Sequence, residues 1–84
     1  MGKSQTTAGN PGRYHEAVTP SDTVNFTQGP CAYLYVGVTG NVVVVDENDN
    51  AVTYVGVPAG GIIPFQAKRV NSTSTTATSI VACW

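Results

Sequence analysis

Two apolar runs dominate the chain, Ala32–Val38 (AYLYVGV) and Val42–Val45 (VVVV), with Thr39, Gly40 and Asn41 between them. Tyrosine and valine fill both runs. Such β-branched and aromatic side chains suit a pleated, half-buried surface and lose rotamer freedom in a helix. Gly40 and Asn41 both tolerate positive φ, which a tight primed turn requires. The pattern predicts a β-hairpin. On its first strand Leu34, Val36 and Val38 share one face, and Tyr33 and Tyr35 the other. On its second, Val42 and Val44 oppose Val43 and Val45. Neither strand has a polar face, so both faces should be covered, which a chain this small does not easily achieve alone.

The flanking pattern supplies the remaining elements. Tyr14–Thr19 holds one short strand, near 15–19, ended by Pro20, which biases Thr19 toward extended geometry. Ser21–Pro30 is a polar connection anchored by Val24 and Phe26. The main strand cores lie near 32–38, 41–46, 51–57, 62–70 and 78–83. Asp46–Asn50 is a polar hairpin loop. Val57-Pro58-Ala59-Gly60-Gly61 is a turn in which Pro58 sets φ at the first central position and glycine permits positive φ after it. Pro64 cannot donate to a ladder, so its strand lies at an edge or carries a bulge. Lys68 and Arg69 fall on opposite faces of that strand; a solvated strand end is the usual case for such a pair, and an acidic group on another chain is the alternative partner for one of them. The hydroxyls of Asn71–Ser79 are expected to satisfy a loop by local bonds to the backbone. Ile80–Trp84 is a last strand tied into a sheet.

Residues 1–14 are polar and glycine-rich and read as a flexible N-terminal arm; residues 15–84 form a single β-sandwich domain. The fold class is all-β, a small antiparallel β-sandwich or barrel-like domain of about six strands behind an extended arm.

Composition narrows the function. The chain has 84 residues, and only 11% are charged, against about 25% in ordinary domains. Low charge with abundant Val, Thr and Gly suggests surface that is covered in use. Net charge is −1, so no basic patch exists to hold a phosphate backbone, and nucleic acid is not an expected partner. No apolar run reaches the ~20 residues of a membrane helix, and no secretory signal is visible, so synthesis in a cytoplasm is expected, with Cys31 and Cys83 as small hydrophobes. A Cys31–Cys83 bridge is geometrically open and unsupported by that compartment. The sequons Asn25-Phe26-Thr27 and Asn71-Ser72-Thr73 carry little weight for the same reason. Asp46–Asn50 lacks the central glycine and distal glutamate of an EF-hand loop. The lone histidine, His15, has neither metal-ligand partners nor an orienting third group, and His15 and Glu16 point to opposite strand faces. No enzyme, metal or cofactor is expected.

Ala17–Asp22 (AVTPSD), Ala32–Gly37 (AYLYVG), Val57–Gly60 (VPAG), Lys68–Asn71 (KRVN) and Thr75–Trp84 (TTATSIVACW) occur in an order that resembles the head spike base proteins of tailed phages and gene transfer agents. The resemblance spans residues 17–84. Ser74 stands where that family commonly has glycine, and Cys83 where it commonly has leucine. It implies a non-enzymatic structural virion protein on the capsid exterior, made in the host cytoplasm. Such a protein binds the major capsid protein, sits at icosahedral vertices as a symmetric homo-oligomer, and there carries a head fibre protein. Capsid decoration or cement protein is the alternative seat.

A third reading is a carbohydrate-binding module using Tyr33, Tyr35 and Tyr54 as a platform. The residues expected at an oligomer or capsid interface are Tyr33, Tyr35, Val43, Val45, Tyr54 and Trp84. A pentamer is expected ahead of a trimer, on the resemblance alone.

Overall fold

A computed structural model describes residues 13–84. Most of the expected N-terminal arm therefore lies outside the described residues. Its last two residues do not: Arg13 N–H donates to the Trp84 carbonyl, and Tyr14 and Trp84 exchange main-chain bonds of 3.2 and 2.7 Å. The folded unit thus starts before residue 15.

The strands are β1 (His15–Ala17), β2 (Tyr33–Val38), β3 (Gly40–Val45), β4 (Ala51–Val57), β5 (Gly61–Ile63), β6 (Arg69–Val70) and β7 (Thr78–Cys83). Every pairing is antiparallel, in a four-stranded sheet ordered β1-β7-β2-β5 and a three-stranded sheet ordered β4-β3-β6. The all-β expectation holds. Leu34, Val36, Ile63, Ile80 and Ala82 from one sheet meet Val42, Val44 and Val70 from the other, with Cys31, Ala67, Ala77 and Trp84 filling in from the connections. Trp84 closes one end of this core. Its indole Nε1–H donates to the Gly29 carbonyl at 2.9 Å, and its ring meets Phe26 edge-on at 5.6 Å. The apolar last strand is tied down as its composition requires, since a buried indole needs both packing and an acceptor.

The two central runs are not a hairpin. β2 pairs with β5 and β7, whereas β3 pairs with β4 and β6, so the chain leaves one sheet and enters the other at Thr39. Gly40 is not in the positive-φ region. It is glycine for space: a Cβ there would stand 2.4 Å from Ala77 N and 2.6 Å from Ala77 Cα. The second crossing lies beside the first. Ala59 N–H donates to Thr39 Oγ1 at 2.9 Å and Gly60 N–H to the Val36 carbonyl at 2.7 Å. Here the turn is as expected in kind but shifted by one residue. Gly61 N–H bonds the Pro58 carbonyl and Gly60 has φ +81°, so Pro58 opens the turn and Ala59 and Gly60 are its central pair.

The run 62–70 is two strands in two sheets, because Pro64 ends β5 and the segment to Lys68 crosses over. The true hairpin is β3–β4. Its loop is built on Asp46, whose Oδ1 accepts from the N–H of Asn48 and Asn50 at 2.8 and 2.9 Å, while Asp49 takes φ 65°.

Three polar locks hold the connections. Asp22 accepts from Ser72 N, Thr73 N and Thr73 Oγ1. Thr75 and Thr76 offer their hydroxyls to Val43 N and Asn41 N at 3.0 and 2.8 Å. The hydroxyls of Thr73, Thr75 and Thr76 in the Ser/Thr run therefore bond across the molecule, to Asp22, Val43 and Asn41. Arg69 is held by the side-chain carbonyls of both sequon asparagines, Asn25 and Asn71, and both Lys68 and Arg69 face Asp49 of the same chain. Neither cation is left waiting for another chain's carboxylate. Cys31 and Cys83 are both free thiols, Cys31 buried in the core.

Candidate functional site

Strand register places one side-chain layer across the outer face of the four-stranded sheet. Ala17, Val81, Tyr35 and Ile62 stand directly opposite one another along one rung, and His15, Cys83 and Tyr33 along the next. The inner residues between them, Leu34, Ala82 and Ile63, are fully or almost fully buried. The outer layer is open: Tyr35 is 40% exposed and Ile62 51%, and Tyr33, Val81 and Cys83 are half-buried. No Asp, Glu, Lys or Arg stands in either rung. Only His15, at the margin, can carry charge. A contiguous, largely apolar layer of this kind on a small domain is an association surface in chemical terms.

The expected interface residues divide. Tyr33 and Tyr35 lie in this layer. Val43 (6% exposed), Val45 (0%) and Trp84 (1%) are buried within the subunit, so a partner gains nothing from them. The premise that both faces of β3 await another chain fails, because the domain covers Val42 through Val45 itself. Tyr54 is half-buried against the core from the other sheet, opposite Val42, and shares no platform with Tyr33 and Tyr35. Ala17, Ile62, Val81 and Cys83 complete the layer and were missed by sequence reasoning. Their signal was period-two alternation within 61–63 and 78–83, which carries no information about which strand lies beside which.

Asp22, Asp46, Asp49, Lys68 and Arg69 lie elsewhere and serve structure. Hydrogen bonds from Thr73, side chain first, hold the Asp22 carboxyl below its ordinary value. The Asn50 N–H does the same for Asp46, and the Lys68 ammonium for Asp49. Burial pushes the Cys31 thiol up to about 11. Among the described residues no three His, Cys, Asp or Glu side chains are grouped to hold a metal ion.

No protein-family model matches the chain, and no curated protein matches it. A solved structure does. At 34% identity and a TM-score of 0.83, over 99% of this chain and 95% of the other, the fold is similar to a chain in the capsid of a native gene transfer agent (GTA) particle, computed with C5 symmetry.

Proposed function

The chain belongs to the family of that gene transfer agent capsid component, and from this premise we propose that it is a structural virion protein, the head spike base at the capsid vertices. The supporting observation is the end-to-end match at 34% identity to a chain of such a capsid. The ordered motifs from Ala17 to Trp84 and the uncharged outer sheet face agree with it. In this reading the protein self-associates, as a pentamer, and seats on the major capsid protein on the virion exterior, leaving the vertex able to carry a head fibre. It performs no catalysis. Its work is adhesion through Tyr33, Tyr35, Ile62 and Val81, whose burial against a partner yields roughly 25 cal/mol per Å² of apolar area covered.

Counting copies in purified particles is the direct test. Vertex pentamers require about sixty copies, and several hundred would mean decoration protein spread over the shell. Absence from particles would overturn both readings. Tyr35→Glu sharpens the test, because it places a charge in the centre of the apolar layer without touching the core. The variant should fold normally and be depleted from capsids.

A further inference from the structure

The strands of this domain differ in how their outer edges are finished. The outer edge of β6 is occupied by Ser21 N–H on the Val70 carbonyl and Phe26 N–H on the Lys68 carbonyl, both at 2.9 Å. β5 has three residues and is stopped by Pro64. Short length and proline are ordinary protections of a sheet edge. β4 has neither. It runs seven residues, Ala51–Val57, with no charge and no proline. Its Val52 and Val55 side chains are 58% and 77% exposed.

The main-chain phase of β4 is fixed by its neighbours. Partners in an antiparallel pair alternate between those that exchange both backbone bonds and those that exchange none. Asp46 N–H bonds the Asn50 carbonyl at 3.0 Å, so Val44–Val52 and Val42–Tyr54 are the bonded pairs. The far side of β3 agrees, since the Val45 and Val43 carbonyls are taken by Lys68 and Asn71 N–H. Ala51 and Thr53 therefore turn N–H and C=O outward, away from β3. At the edge of the other sheet, Tyr14–Trp84, Glu16–Ala82 and Val18–Ile80 are the bonded pairs, which leaves His15 and Ala17 facing outward from β1. An open groove of about 150 Å³ runs beside β1, lined by Val18, Val24, Phe26 and Trp84 among others.

We propose that the outer edge of β4 pairs, main chain to main chain, with the β1 edge of a neighbouring copy, joining the three-stranded sheet of one subunit to the four-stranded sheet of the next. Val52 and Val55 lie on opposite faces of β4, so one of the two exposed valines then meets the apolar part of the groove beside β1, at Val18, Val24 and Phe26. The choice of β1 rests on the vertex reading above. A ring needs two different edges that meet head to tail, whereas β4 against β4 closes a two-fold dimer and stops. Of the described edges, β1 is the one left: its strand is as short as β5, but its ladder bonds run on from Tyr14 to Val18 and no proline stops it before Pro20. The outer layer containing Tyr35 stays free for the capsid.

Thr53→Pro tests this directly. It removes an N–H that points away from β3, so no internal ladder bond is lost. The full-length variant should keep the circular dichroism and Trp84 fluorescence of the native protein and associate roughly tenfold or more weakly by sedimentation, the loss expected when a paired edge forfeits one or two main-chain bonds. Ala51→Pro, at the first strand position where proline is tolerated, provides the same test should Thr53→Pro not fold. In a Cys83→Ser background, protein carrying Thr53→Cys mixed with protein carrying Ala17→Cys should be joined by a short bismaleimide. Native self-association by either proline variant, or joining of Thr53→Cys protein only to itself, would overturn the proposal. Occupancy of purified capsids by the native protein is scored separately. Its failure counts against the vertex reading, whereas a folded proline variant that still forms rings on capsids counts against the strand pairing alone.

Discussion

Gly40→Ala is expected to be among the most damaging single-methyl changes in this protein. The added Cβ would lie 2.4 Å from Ala77 N, 2.6 Å from Ala77 Cα and 2.8 Å from Thr76 C, all main-chain atoms. Ordinary contact begins at 3.4 Å, so the opposing backbone must retreat by about 1 Å, the difference between 3.4 and 2.4 Å. That segment is not free to move. Thr76 and Ala77 N–H bond the Asn41 carbonyl at 2.9 and 3.1 Å, and the Thr76 and Thr75 hydroxyls accept from Asn41 and Val43 N–H. Weakening two of these bonds costs about 0.5–1.5 kcal/mol each, and overpacking adds about 1–3 kcal/mol, giving roughly 2–6 kcal/mol in all. A chain of this size holds about 4–12 kcal/mol, so the loss takes a large share of it.

Urea unfolding followed by the fluorescence of Trp84, the single tryptophan, measures the effect as a fall in midpoint at constant slope. Asparagine at the same position separates the causes. A turn glycine with positive φ accepts asparagine, whereas a glycine chosen for space does not. Gly29, with φ +84° and nothing within 4 Å of a Cβ, is the matched control and should recover part of its alanine loss as asparagine. Gly40→Asn as stable as the native protein would refute the crowding account.

Three further outcomes are expected. The lowered carboxyls of Asp22, Asp46 and Asp49 contribute stability that is present above the ordinary 3.8 and lost as pH falls through their lowered values, so thermal midpoints should drop steeply on the acid side of 3.8, and less steeply in Asp22→Asn. Iodoacetamide at pH 8 should modify Cys83 and spare Cys31 by mass spectrometry; the buried thiol's contribution is full below 9.0 and declines as pH rises toward about 11. Val44→Asp should abolish the folded state as judged by circular dichroism, because a carboxylate replaces a side chain 2% exposed between the two sheets and has no partner there.

The local character of the chain was legible because it is written in side-chain type. Valine and tyrosine runs gave the strands at 33–38, 40–45, 51–57 and 78–83 within a residue or two, and Asp46 and Gly60 marked turns that exist. Alternation gave Leu34, Val36 and Val38 as one side of the first strand and Val42 and Val44 as one side of the second; all but Val38, which is exposed, are core. Pairing was not legible. Gly40 has the same letter whether it is needed for positive φ or for room beside Ala77, and the first reading yields a hairpin where the second yields a corner between sheets.

That difference decides the site. With β2 and β3 in one hairpin, Tyr33, Tyr35, Val43 and Val45 would share an outward surface. With a corner at Thr39, the valines turn inside and the tyrosines join Ile62 and Val81 instead. Sequence by itself determined the all-β class and the strand content, since these follow from residue type and period. Only the tertiary structure decided which strands are neighbours and which of the described apolar residues lie outside the core, because those depend on contacts between positions as distant as Asn41 and Thr76 that no local pattern encodes.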